Sequence, residues 1–309
     1  MFDVLSITAP LFTLMFLGYL AVKTSILPSA LLPGLARFVL YFCVPGVILS
    51  NFLRETQQPI FDPNFLQLYA VLGVLMLVIG FLLSRLIGKP PSQASIFALG
   101  GAVPNSMFVG LPILLQVTPD IAVQVLVMCV LVENALIIPV SLLVADAGTA
   151  TQGSVGQRLL AIAKRMATNP MLICVLVGLS LSSLDIYAPL FLQTTLDMLA
   201  KAAAPAALIF IGGALVGHKV DGDLSAIVLT SALKLLIMPL LALILLQFGP
   251  ELDPQLGVAL VLVSASPMLS IYAIIASNYG VAKQAASIQV FATSASFVSL
   301  NLFLAYLLG

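Results

Sequence analysis

The chain has 309 residues; 61% are hydrophobic, 8% are charged, and 12 basic side chains balance 12 acidic ones. A soluble domain carries about 25% charged residues. A mean hydropathy of +1.18 with so few charges excludes a soluble enzyme, a nucleic-acid-binding protein and a disordered chain, and zero net charge leaves no basic surplus to seek phosphates. Alternating ten-residue patterns of an outer-membrane barrel are absent. The composition therefore predicts an all-α polytopic membrane protein, because helices satisfy their own backbone inside lipid.

A helix crossing a bilayer needs about 20 mostly apolar residues. Ten segments qualify: 4–22, 32–53, 66–87, 94–116, 121–145, 169–184, 191–217, 225–248, 254–278 and 283–307. Met1-Phe2-Asp3 lacks a basic n-region, so span 1 reads as a retained helix and not as a cleaved signal. Turn chemistry separates the spans, as at Lys89-Pro90-Pro91 and Asp221-Gly222-Asp223. The longest separator, 146–168, is polar and then basic at Arg158, Lys164 and Arg165. It divides the chain into a first five-helix repeat, 1–145, a cytoplasmic linker, 146–168, and a second repeat, 169–309. Span 6 is the shortest. The three cysteines, Cys43, Cys129 and Cys174, are scattered without C-x-x-C spacing, which suggests buried free thiols.

Charge bias predicts orientation. With the N-terminus outside, the inner loops hold Lys23, Arg85, Lys89, Arg158, Lys164, Arg165, Lys219 and Lys283, and the outer loops only Arg54. The outer loops are acidic, with Asp3, Glu55, Asp62, Asp120, Asp185, Glu251 and Asp253. Ten spans place both termini outside the inner (plasma) membrane.

The halves share landmarks. Pro10, Gly18 and Pro45 stand 160 residues before Pro170, Gly178 and Pro205; Gly88 stands 161 before Gly249, and Pro104 stands 163 before Pro267. Five helices is an odd number, so the second copy enters the membrane inverted, a frequent build of secondary transporters. Span 4 carries Gly100-Gly101-Ala102-Val103-Pro104-Asn105-Ser106, and span 9 carries Ser264-Ala265-Ser266-Pro267-Met268-Leu269-Ser270. Proline removes a donor and clashes with the carbonyl one turn back. Two breaks at matched mid-span places present two half-helix N-termini, which suit an anion such as a carboxylate. Pro104, Asn105, Ser106, Pro267, Met268, Ser270 and Asn134 are the candidate substrate-binding residues.

Ionisable residues inside the spans are costly and read as functional by default. Glu133, midway along span 5, is the candidate proton carrier; Lys234, midway along span 8, either pairs with it or offsets substrate charge. Asp197 and Lys201, four apart, are expected to pair on one helix face, Arg37 to anchor span 2 at the inner interface, and His218 to lie in an inner loop. No metal site, enzyme motif or P-loop is present, so no cofactor is expected and the chain is not an enzyme. The coupling ion is H+ or Na+, with Gln289 a possible helper for sodium.

Span 2 with Phe42-x-x-Pro45 leading to Ser50-Asn51, the Gly101-x-x-Pro104-Asn105 and Gly110-x-Pro112 string of span 4, and Ala276-Ser277-Asn278-Tyr279-Gly280 closing span 9 resemble the auxin efflux carrier family, in its bacterial form. The resemblance covers essentially the whole chain. It implies ten helices in two inverted repeats, broken helices crossing at spans 4 and 9, and a scaffold of spans 1, 2, 6 and 7. It further implies a moving transport domain built from the rest and a homodimer formed through the scaffold. By resemblance Pro104, Asn105 and Pro267 form the crossover, and Met268 departs from the small or polar residue of the plant carriers. The function expected is secondary transport of small organic anions by elevator-type alternating access, possible alternatives being a sodium-coupled symporter or an anion channel.

Overall fold

The computed structural model describes residues 2–54, 61–148, 156, 160, 163–164, 167–217 and 220–308, with backbone alone for 2–6. Glu55, Arg158, Arg165, His218, Lys219 and most of the 146–168 linker lie outside the described residues. Among the described residues every extended secondary-structure element is a helix. Span 1 is α1 (Phe2–Lys23), span 2 is α2 (Ser29–Phe52) and span 3 is α3 (Pro63–Leu86). Span 4 is split into α4 (Pro91–Ala102) and α5 (Ser106–Val117), and span 5 is α6 (Pro119–Ala147). Spans 6, 7 and 8 are α7 (Pro170–Ser183), α8 (Leu190–Ala214) and α9 (Leu224–Phe248). Span 9 is split into α10 (Pro254–Ala265) and α11 (Tyr272–Ser277), and α12 (Ala282–Leu308) closes the chain. Among the described residues six helices, α2, α3, α6, α8, α9 and α12, are long and apolar enough to cross a membrane.

Local sequence sets the helix starts. Asp62, Asn169 and Asp253 each cap a helix with the side chain, accepting from Phe65 N, Met171 N and Gln255 N, and each is followed by proline at the first helical position. There the missing proline donor costs nothing, because the first amides of a helix have no internal partner.

Proline also shapes the helix interiors. Four π-turns occur among the described residues: Val39–Cys43, Ser106–Gly110, Glu133–Ile137 and Leu233–Ile237. Each ends two residues before a proline, namely Pro45, Pro112, Pro139 and Pro239. The residue just before each proline donates five residues back, as Ile138 does to the Glu133 carbonyl. The wider turn relieves the clash between the proline ring and the carbonyl one turn earlier.

Small residues set the packing. A Cβ on Gly18 of α1 would run into the Ile209 carbonyl of α8, and one on Gly212 of α8 into the Met15 carbonyl of α1. Gly46 of α2 lies against Leu199 of α8, and Gly178 of α7 against the Phe52 ring of α2. Close backbone approach through glycine is the usual way lipid-embedded helices gain contact. It draws α1, α2, α7 and α8 into one group. In the other, Gly80 of α3 faces Ala98 of α4, and Gly101 of α4 faces Leu233 of α9. Ser95 of α4 and Ser141 of α6 exchange hydrogen bonds, each hydroxyl donating to the other's carbonyl at 2.7 and 3.0 Å.

The half-helices α4 and α10 have 12 residues each, about 18 Å at 1.5 Å per residue, or roughly half the lipid core. Their residues from Ala94 to Ala102 and from Ala259 to Ala265 are all buried. That explains their apolar character on every side.

The expected Asp197–Lys201 pair does not form. Asp197 instead accepts from Arg54 at the end of α2, at 2.9 Å, and from Gln193 at 3.1 Å, while Lys201 is exposed. The long guanidinium from a neighbouring helix reaches the short carboxylate, and an exposed i,i+4 partner offers only a few tenths of a kcal/mol in competition, about 0.2–0.5.

Candidate functional site

The two breaks meet. Val103 to Asn105 leave α4 extended and pass antiparallel to Pro267–Leu269, with Pro104 opposite Met268. Asn105 N donates to the Pro267 carbonyl at 2.6 Å, and Leu269 N donates to the Val103 carbonyl at 3.2 Å. Each broken segment thereby supplies the partner that the other lacks, which backbone at membrane depth requires. Met268 and Pro267 are held in this pairing, Met268 being fully buried.

Asn105 restarts the chain as a helix. Its side-chain oxygen accepts from Phe108 N at 3.2 Å, and its amide donates to Ser270 Oγ at 2.8 Å. Gln289 of α12 donates to the Ser270 carbonyl at 2.9 Å. The polar residues of both breaks are therefore fixed before any ligand arrives.

Beside the crossing lies a cavity of about 610 Å³. Pro104, Asn105, Ser106, Ser270, Glu133 and Asn134 line it. Pro267, Met268 and Lys234 stand outside its wall. The far wall comes from α2, α7 and α8, including Arg37, Tyr41, Asn169 and Phe210. Phe108 of α5 and Phe210 of α8 meet across it with ring centroids 5.3 Å apart. Asn169, the cap of α7, donates to the Asn134 side-chain oxygen at 2.9 Å.

Glu133 opens the π-turn of α6 and is buried. Its Oε1 accepts from Tyr69 Oη of α3 at 2.7 Å and from Ser106 Oγ of α5. Both bonds fall on one oxygen, so Oε2 has no hydrogen-bond partner among the described residues while the residue borders the cavity. Lys234 does not pair with Glu133. Its Nζ donates to the Ser264 carbonyl and to Met238 Sδ, each at 2.8 Å.

Arg37, expected to anchor span 2, lies on the cavity wall, exposed and without an ion pair among the described residues. Tyr69 and Asn169 were not singled out by the sequence. The signal for Arg37 was present: a permanent cation on an apolar span. The signal for Tyr69 lies only in the tertiary packing.

A helical membrane chain interrupted twice at its centre, with polar groups of both breaks gathered on one cavity, has the build of a membrane transporter. The chain belongs to the family described as "Membrane transport protein", whose model matches residues 3–304, the auxin efflux carrier family. It is 27% identical to the "Putative malonate transporter" of Rhizobium meliloti (strain 1021), covering 100% of this chain and 97% of that one. It is 24% identical to the "Uncharacterized transporter YfdV" of Escherichia coli (strain K12), covering 88% and 87%. It is 26% identical to the "Lysosomal cholesterol signaling protein" of Mus musculus over 91% of this chain but only 33% of that longer protein.

Proposed function

We propose that this transporter carries small organic anions of the carboxylate class across the inner membrane by alternating access. The observation that carries the reading is the cavity itself. It combines the Arg37 guanidinium, which has no ion pair among the described residues, with the start of α5 at Asn105 and Ser106 and the amides of Asn134 and Asn169. A guanidinium matches a carboxylate through two parallel hydrogen bonds, and the amides at the start of α5 add partial positive charge. The relative named for malonate agrees with this ligand class.

The packing supports a division of labour. The helices α1, α2, α7 and α8 are the scaffold, and the remainder, including both breaks, is the moving body; this is the elevator form of alternating access. The ten-span arrangement, as two inverted repeats over 1–145 and 169–309, follows from the matched landmarks and the matched breaks. Leu32, Pro33, Asn169 and Pro170 on the cavity wall lie at the ends of α2 and α7 that charge bias assigns to the cytoplasm, so the cavity opens inward. Both termini are then outside, and scaffold faces of two copies make a homodimer. Glu133 supplies proton coupling through Oε2, which has no hydrogen-bond partner among the described residues. A sodium-coupled symporter and an anion channel are the competing forms.

The purified protein in detergent, screened by thermal unfolding against malonate, malate and indole-3-acetate, tests the site. At least one carboxylate should raise the midpoint. Arg37→Ala should weaken that ligand about tenfold or more, the scale of one lost charge-assisted hydrogen bond. Equal affinity in the variant would remove Arg37 from the site.

A further inference from the structure

Asn134 and Asn169 stand on different bodies, Asn134 on α6 of the moving body and Asn169 at the start of α7 of the scaffold. Their hydrogen bond lies on the cavity wall. Long-range polar pairs elsewhere stay inside one body, as Arg54–Asp197 does in the scaffold and Ser95–Ser141 and Tyr69–Glu133 do in the moving body. Both asparagines are held from behind. The Asn134 amide donates to the Val130 carbonyl of its own helix at 2.9 Å. The Asn169 oxygen caps α7, accepting from Met171 N at 3.0 Å. Asn169 Nδ2 then donates to Asn134 Oδ1 at 2.9 Å. Each half is already anchored on its own body, so little side-chain freedom is lost when the two engage.

The surroundings suit a bond that is made and broken. Both residues are half-buried at a cavity wide enough for water, so the parted groups can bond to water. Tyr69–Glu133 and Lys234–Ser264, by contrast, are buried and stay within the moving body. Phe108 against Phe210 also joins the bodies, but an apolar contact tolerates sliding, whereas a hydrogen bond weakens steeply once its geometry is lost. The amide pair therefore registers the position of one body against the other.

The same arrangement recurs where α1 of the scaffold meets α12. Asn301 donates to the Phe297 carbonyl four residues back at 2.7 Å, and its oxygen accepts from Thr8 Oγ1 at 2.8 Å. In both places an asparagine of the moving body is tied to its own helix and offers its oxygen to a donor of the scaffold.

We infer that the Asn134–Asn169 hydrogen bond is a catch between the two bodies, which holds the empty carrier with its cavity open to the cytoplasm and parts when the moving body leaves that position. The inference rests on alternating access between two bodies, as proposed above, and is independent of which anion is carried.

Site-directed labelling in oriented membrane vesicles tests it without any substrate. The reporter is Met107→Cys, on the moving body at the cavity wall, in a Cys174→Ser background; Cys43 and Cys129 are buried. A membrane-impermeant maleimide applied from outside reaches the reporter only while the cavity faces out, so the rate measures that population. Asn169→Ser keeps the cap, since serine caps as well as asparagine, but is too short to reach Asn134. Asn134→Ala removes the acceptor. Each should raise the outside rate by about two- to tenfold, the scale of one net hydrogen bond, without raising the rate from inside. The double variant should do no more than either alone, since both remove the same bond. An outside rate that is measurable in the reporter parent and unchanged in the variants overturns the catch alone. So does a rise on both sides together, which reports a loosened fold, or a double variant in which the two effects multiply. No outside labelling in parent or variants removes alternating access itself, and the catch with it.

Discussion

Glu133 sits where a charge is costly, and three features keep it usable. The π-turn forced by Pro139 turns it toward α3 and α5, two hydroxyls bind one oxygen, and the other oxygen borders the cavity. An unpaired buried carboxylate is expensive to maintain. A proton that neutralises it, or a substrate anion bound beside it, changes that balance, which is what proton coupling as proposed requires. Glu133→Gln retains the shape and one acceptor oxygen but cannot exchange a proton. We expect it to lose proton-driven accumulation and to retain exchange of substrate across the membrane; full accumulation would exclude Glu133 as the proton carrier. Glu133 and Lys234 were legible in the sequence because no loop or snorkelling route explains a charge at their depth. Their partners were not legible. Tyr69 is 64 positions from Glu133 and Ser264 is 30 from Lys234, separations that only the packing of helices brings together. Arg37 was legible only as an interfacial anchor, the simpler explanation that its distance from the span end allows; its place on the cavity wall depends on how the helices pack.

At the level of elements, the two breaks were predictable because proline beside glycine and small residues cannot continue a helix, and the structure breaks both helices there. The π-turns were not legible, although each ends two residues before a proline; the ring's clash dictates that the helix must adjust but not by which geometry. Three of the polar residues that matter, Ser106, Glu133 and Lys234, lie in these turns. Helix caps outside the membrane have their own electrostatics. Asp223 caps α9 by accepting from Ser225 N at 2.8 Å and also pairs with Lys89, from the connection between α3 and α4. The Lys89 hydrogen bond first, then those from Ser225, hold the Asp223 carboxyl well below the usual carboxylate range. A lowered folded value means that the stabilisation is present above the ordinary carboxylate pKa, about 3.9, and is lost as pH falls below it. The pair is partly exposed, so its contribution is modest and weakened by salt. Asp223→Asn, which can still cap, should unfold at a lower temperature than the native protein at pH 7. The gap should close as pH falls through the acid range and as salt rises. A gap independent of both would trace the loss to the cap and not to the charge.

For the molecule as a whole, the few charges divide into those that face water at the ends of helices and those that serve the interior. Composition alone was enough for the membrane class, and hydropathy placed the helices to within a few residues, because many of the apolar runs begin at a capping Asp or Asn or at a proline. The grouping of α1, α2, α7 and α8 was not readable from the runs themselves; it depends on glycines that allow backbones on distant segments to touch. That grouping leaves the cavity between two bodies, Arg37 on one and Asn105 on the other, joined by the Asn134–Asn169 hydrogen bond. In the alternating access proposed above, the carrier releases its ligand on the opposite side before returning. Counterflow in liposomes reports that cycle most directly. Purified protein is reconstituted with unlabelled carboxylate inside, malonate as the first probe and the best ligand of the thermal screen as the second, and trace labelled carboxylate outside. The expected result is saturable, transient accumulation of label that Arg37→Ala reduces. Non-saturating current that follows voltage alone, with no counterflow for any carboxylate that binds, would contradict it.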